Sequence, residues 1–87
     1  MPRYMLERVV GELSEEQMKA AFAKEQEVQQ QMPDVRWVRS YYSAEEGKLY
    51  CEYEAAKLQS VLQLNRSVGV PVDRATVVRK LEPSMFR

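Results

Sequence analysis

Trp37, Arg39 and Tyr41 occupy alternate positions of one β-rich run, and Tyr50, Glu52 and Glu54 alternate positions of another. Alternate residues of an extended chain point to the same side, so each triplet reads as one face of a strand. Aromatic rings with a few arginine and glutamate side chains are suited to orienting a small polar ligand. Catalysis is harder to assemble. The sequence has no histidine to act as a base, no Gly-x-Ser-x-Gly elbow and no glycine-rich phosphate loop. Glu52 and Glu54 would serve as an acid–base pair only if burial separated their pKa values, and on a strand they read as a solvated face. Cys51 lies between Leu49 and Tyr53 in alternation and reads as a small core residue. A reactive thiol would need exposure and a cationic neighbour, and one thiolate without imidazole makes a poor soft-metal cage.

Six elements must position these groups. "RYMLERVV", ending at Gly11, predicts a first strand, with imperfect alternation because Glu7 and Arg8 fall on opposite faces. Ser14 with Gln17 three residues on forms a capping box, and Leu13 and Met18 stand at staple spacing. A helix follows whose stripe is Met18, Ala21, Phe22, Glu25, Val28 and Met32, ending at Pro33 and Asp34. "VRWVRSYY" is the second strand and "KLYCEYE" the third, joined by a hairpin at Gly47. Ala55 to Val68 predicts a second helix with Leu58, Val61, Leu62 and Asn65 at helical spacing and Gly69 as its stop. Pro71 then straightens the chain into a fourth strand, "RATVVRKL". In this connection Gly69, Pro71, Asp73 and Arg74 have structural tasks, and they also make a rim that could meet a ligand or partner.

The order strand, helix, strand, strand, helix, strand predicts an α+β, ferredoxin-like βαββαβ sandwich: a four-stranded antiparallel sheet with two helices on one face. Residues 1–87 are expected to form a single domain, since so short a chain cannot enclose two cores. The uncovered face, with Trp37, Arg39, Tyr41, Tyr50, Glu52, Glu7 and Arg79, would expose aromatic area enough to call for a cover. A second copy, sheet against sheet, is the expected cover, giving a homodimer.

Thirteen Lys and Arg balance thirteen Asp and Glu, so no overall field draws the chain to nucleic acid or an anionic membrane. "GKLYCEYE" also lacks the Gly and Phe spacing of an RNA-binding third strand. Its apolar runs fall far short of the roughly 20 residues that span a bilayer. With one cysteine and no signal-like N-terminus, a cytoplasmic setting is expected.

The strings "MPRYMLERVV", "LSEEQM", "VRWVRSYYS", "KLYCEYEA" and "GVPVDRATVVRKLEP", taken in order, resemble a family of small bacterial proteins, DUF4242, that includes a nickel-binding, nickel-responsive member. The resemblance runs nearly end to end. It implies a dimeric ferredoxin-like fold and binding of nickel or another divalent metal. Leu64 stands where members of that family carry a histidine, five positions before the glycine of the Gly-x-Pro loop. The expected function is a homodimeric binding protein, taking a divalent metal or a small ligand at the dimer's sheet face. Two alternatives share the fold: a dimeric α+β barrel enzyme acting on a small organic substrate with Arg39 and Glu52 as its polar groups, and an interaction module without ligand. The lack of a catalytic set favours binding over catalysis.

Overall fold

In the computed structural model, which describes residues 1–87, the chain runs β1 (Arg3–Val9), α1 (Glu15–Gln29), β2 (Val35–Ser43), β3 (Lys48–Ala55), α2 (Leu58–Val68) and β4 (Arg74–Val78). A single 3₁₀ turn, Pro83–Phe86, follows. The strands form one antiparallel sheet in the order β2-β3-β1-β4. This is the ferredoxin-like βαββαβ arrangement expected from the element order, with β1 and β3 central and the two helices packed on one face.

Local chemistry explains the boundaries. Ser14 accepts from the Gln17 amide at 3.1 Å while Gln17 Oε1 accepts from the Ser14 amide at 2.9 Å, so two of the helix's free N–H groups are satisfied at its first turn. Gly69 closes α2 at φ 86°, a left-handed position that costs glycine nothing. α2 starts at Leu58 rather than Ala55 because Ala55 is still paired with Val35 in the sheet and Lys57 is extended. β4 stops at Val78, so Arg79 lies beyond the sheet.

The core lies between sheet and helices. Tyr4 and Leu6 of β1, Val35 of β2, Leu49, Cys51, Tyr53 and Ala55 of β3, and Val61, Leu64 and Val68 of α2 are buried together. α1 contributes Phe22 and Val28 at its edge. Tyr42 fastens the β1–α1 connection to β2: its hydroxyl accepts from the Leu13 amide at 2.9 Å and donates to the Gly11 carbonyl at 3.1 Å.

The hairpin glycine has a second task besides its turn. Gly47 sits at φ 65°, and a Cβ there would come within 3.2 Å of the Gly11 backbone, because the Val10 and Gly11 amides both donate to the Gly47 carbonyl. Gly47→Ala is expected to cost about 1–2 kcal/mol from the left-handed backbone alone, measured by urea denaturation. A variant as stable as the parent would show that this corner relaxes freely.

Candidate functional site

The open face of the sheet is an ordered lattice of charge. Across it, Arg36 opposes Glu54, which opposes Arg3; in the next row Arg39 opposes Glu52, which opposes Met5; then Tyr41, Tyr50, Glu7 and Arg74 follow one another across all four strands. Arg3 bridges the first two rows, pairing with Glu52 and with Glu54 at 3.1 Å. Arg36 closes on Glu54 from the sheet edge, and Arg39 Nε lies 3.5 Å from Glu52. Glu7 is shared by Lys48 at 3.9 Å and Arg74 at 3.5 Å. Five cations and three carboxylates thus occupy one face.

Their protonation follows from these neighbours. The hydrogen bond and charge of Arg36 hold the Glu54 carboxyl below its ordinary value. Tyr50 donates to Glu46 at 2.6 Å, and that bond, which requires the proton, pushes the phenol upward. Glu52 is 7% exposed on a face that nothing in the chain covers, its carboxylate enclosed by Arg3 and Arg39. Tyr41 projects beside it, half exposed.

Trp37 does not join this face. The register slips between Trp37 and Arg39, so that Trp37 opposes Tyr53 and Arg39 opposes Glu52, with Val38 as the extra residue of a β-bulge. A bulge resets the alternation of side chains, and the expectation that Trp37 shares a side with Arg39 and Tyr41 is corrected accordingly. Trp37 turns to the helix side, stacks on Phe22 with centroids 5.0 Å apart, and donates from its indole to Ser40 Oγ at 2.9 Å. Ser40 donates in turn to Cys51 Sγ at 3.0 Å. Arg79 is also absent from the face, since the strand ends before it. Arg39, Tyr41, Tyr50, Glu52, Glu7 and Arg74 are brought together there.

The connection after α2 is tied down from β1. Asp73 accepts from the Val9 amide at 2.7 Å, its own amide donates to the Glu7 carbonyl at 2.9 Å, and Arg8 Nη1 donates to the Pro71 carbonyl at 3.2 Å. Asp73 therefore binds the strand backbone rather than Arg74, which pairs with Glu7. Gly69 ends the helix and Pro71 leaves its ring exposed.

A second polar group lies on the covered side, and the reading of the sequence did not assemble it. Arg8, Glu25, Tyr53 and Asn65 are all buried in the interior. The Tyr53 hydroxyl donates to Glu25 and lies 3.4 Å from Asn65 Oδ1. Asn65 also accepts from Arg8 Nη1 at 2.8 Å and donates to the Val61 carbonyl at 2.8 Å. Burial, with the Glu25 charge beside it, raises the Tyr53 pKa strongly, and burial raises that of Cys51, so both stay protonated. The signal was present: Glu25 and Asn65 fall on the apolar stripes of their helices, and Arg8 takes a core-facing position in β1. Three polar residues on three buried surfaces belong to one cluster.

Glu25 makes stability depend on pH. Desolvation lifts its pKa above the ordinary 4.5, outweighing the Tyr53 hydrogen bond and the Arg8 charge, which both favour the carboxylate. The folded chain thus binds this proton more tightly than the unfolded one. Its contribution to stability is fully present below pH 4.5 and is lost as pH rises through the raised value. The stability of the parent relative to Glu25→Gln is expected to fall across that window as pH rises. Urea denaturation of both proteins over a pH series reads this directly; a difference that is flat with pH would show that burial is compensated.

These features define a ferredoxin-like α+β protein with a charged open sheet face and a polar interior cluster. Residues 4–78 match the family described as nickel responsive protein, SCO4226-like, and the chain belongs to that family. Among solved structures it resembles that of SCO4226 from Streptomyces coelicolor A3(2), at 17% identity and a TM-score of 0.80, over 92% of this chain and 99% of that one. That likeness shows the fold. No curated protein matches the sequence. No helix of the chain is long and apolar enough to cross a membrane.

Proposed function

We propose that this chain is a homodimeric binding protein of the DUF4242 type, a single domain over residues 1–87 in the cytoplasm, whose dimer forms by the open sheet faces and holds a small polar ligand between them. The observation that carries the reading is Glu52: a carboxylate 7% exposed at the middle of an uncovered face, flanked by Arg3 and Arg39. Arg36, Arg3 and Arg39 stand beside Glu54 and Glu52 in adjacent rows, so a second copy turned about a two-fold axis can set arginines of one face against carboxylates of the other, each contact repeated in reverse. Tyr41, Arg39, with its side chain 57% exposed, and Tyr50 then line the space between the sheets.

Membership in a nickel-responsive family supports a link to nickel, but the chain's own donors suit that metal poorly. Imidazole is its usual side-chain ligand, and the chain has none. No three of its Cys, Asp and Glu residues come together. Cys51 faces the helices while Glu52 faces the open side, and Leu64, at the family's histidine position, is fully buried. The residues of one chain do not fit a resident nickel site. The binding reading therefore rests on the Arg, Tyr and Glu groups of the face. The enzyme alternative lacks a free base, since each carboxylate of the face is held by cations.

Sedimentation equilibrium of the parent and of Glu52→Arg tests the assembly. The expected result is a dimer for the parent, weakened by salt as ionic contacts are, and at least about tenfold weaker for the variant. A monomeric parent would overturn the proposal. Native mass spectrometry with Ni²⁺ tests the donors: uptake in fixed ratio would overturn the reading that excludes them.

A further inference from the structure

The hydrogen-bonding capacity left over on the open sheet face is all of one kind. Each of its carboxylates is engaged: Glu54 by Arg3 and Arg36, Glu52 by Arg3 and Arg39, and Glu7 by Lys48 and Arg74. Glu46, at the hairpin, accepts from Tyr50. The donors are less occupied. Arg39 reaches Glu52 only through Nε at 3.5 Å, which leaves both of its Nη groups free. Tyr41, two residues on along β2, is half exposed, and its hydroxyl bonds to nothing in the chain. Arg74, at the far edge of the sheet, touches only Glu7, and its side chain is 69% exposed. A guanidinium donates and never accepts, so the face offers a ligand N–H and O–H groups and no vacant carboxylate.

The balance of charge leads to the same class of ligand. Arg3, Arg36, Arg39, Lys48 and Arg74 stand against Glu7, Glu52 and Glu54 on the sheet. With Glu46 added, each copy still keeps one positive charge without a counter-charge. The chain as a whole is neutral, so the excess belongs to this face. Two such faces brought together enclose two like charges, and like charges drawn out of water beside each other oppose association. A single dianion removes that opposition.

We infer that the ligand between the two sheets is a compact oxygen dianion, seated near the two-fold axis against Arg39 and Tyr41 of both copies. This inference rests on the dimer through the open faces proposed above. A group on a two-fold axis meets the same side chains from each copy, so two guanidiniums and two phenols converge on it. Carboxylate or phosphate oxygens match the paired N–H groups of an arginine in geometry as well as in charge. A monoanion would leave one charge unbalanced, and a neutral ligand would leave both. Hydrogenphosphate and a short dicarboxylate share this chemistry, and the test separates them.

The test is sedimentation equilibrium of the parent at neutral pH and fixed ionic strength, in sodium chloride and with part of the chloride replaced by sodium phosphate or sodium malonate. Millimolar concentrations keep general salting-out negligible. The expected result is a dimer dissociation constant at least about tenfold lower with phosphate, with malonate or with both, and the more effective salt names the ligand's chemistry. Arg39→Gln should lose that response. Calorimetry of the parent should count one dianion for each pair of chains, and this measurement decides where the variant no longer dimerises. A parent that dimerises equally well in all three salts would overturn the dianion site and leave the dimer standing. A parent that stays monomeric in all of them would overturn the dimer, and the site with it. A response that persists in Arg39→Gln, or one dianion bound by each single chain, would also sink the inference.

Discussion

Replacing Trp37 by alanine is expected to lower stability by about 3 kcal/mol while leaving the association state of the protein unchanged. The magnitude comes from removing a large, partly buried aromatic side chain together with its stack on Phe22, a contact worth roughly 1 kcal/mol beyond area. The Ser40 hydroxyl also loses the indole donor. The unchanged association follows from the bulge at Val38, which turns the indole to the helix side of the sheet. Urea denaturation gives the first quantity and sedimentation the second. A variant of full stability with altered sedimentation would place the indole on the open face instead.

The second large effect is expected at Leu64. This side chain is fully enclosed, on the helix that packs over the central strands, and Leu64→Ala should cost about 3 kcal/mol through lost transfer energy and the cavity left behind. Leu64→His should be destabilising on the order of 2 kcal/mol for a different reason, because an imidazole there buries polar nitrogens without assured partners. Against a total stability of about 5–15 kcal/mol for a domain of this kind, either change removes a substantial share. Thermal and urea unfolding should agree in rank. If Leu64→His were as stable as the parent, position 64 would have a polar partner, and Asn65 and its neighbours would need to be reassigned.

These two positions show how the same residue type pattern can carry different information. Leu64 follows the helical stripe of α2, and its burial is what periodicity predicts. Trp37 follows an alternation that is valid only while the strand pairs one residue against one. Nothing in "VRWVRSYY" marks Val38 as the residue that will go unpaired; the count of partners on β3 decides it. The consequence reaches the candidate site directly, since it removes the largest aromatic from the open face and leaves a surface governed by ion pairs. A face of that kind favours recognition by charge pattern over burial of apolar area, and the dimer proposed through it should respond to salt.

The interior cluster has a similar lesson for the chemistry of the protein. Arg8 and Asn65 are 57 residues apart, and Glu25 and Tyr53 are 28 apart. Each looks like an isolated exception to a pattern: an arginine among alternating apolar residues, a glutamate on an apolar stripe, an asparagine near a helix end. Only their convergence gives them a common explanation, in which polar groups that would be costly alone satisfy one another.

The element order, the Ser14 cap, the left-handed glycines at 47 and 69 and the inward face of β3 were determined by the sequence alone, because each depends on backbone geometry and neighbours within a few residues. The bulge that turns Trp37 inward, the early end of β4 before Arg79, and the meeting of Arg8, Glu25, Tyr53 and Asn65 were decided by tertiary structure. They depend on pairing and burial between segments far apart in the chain, where the free energy of a polar group is set by what the rest of the fold brings to it.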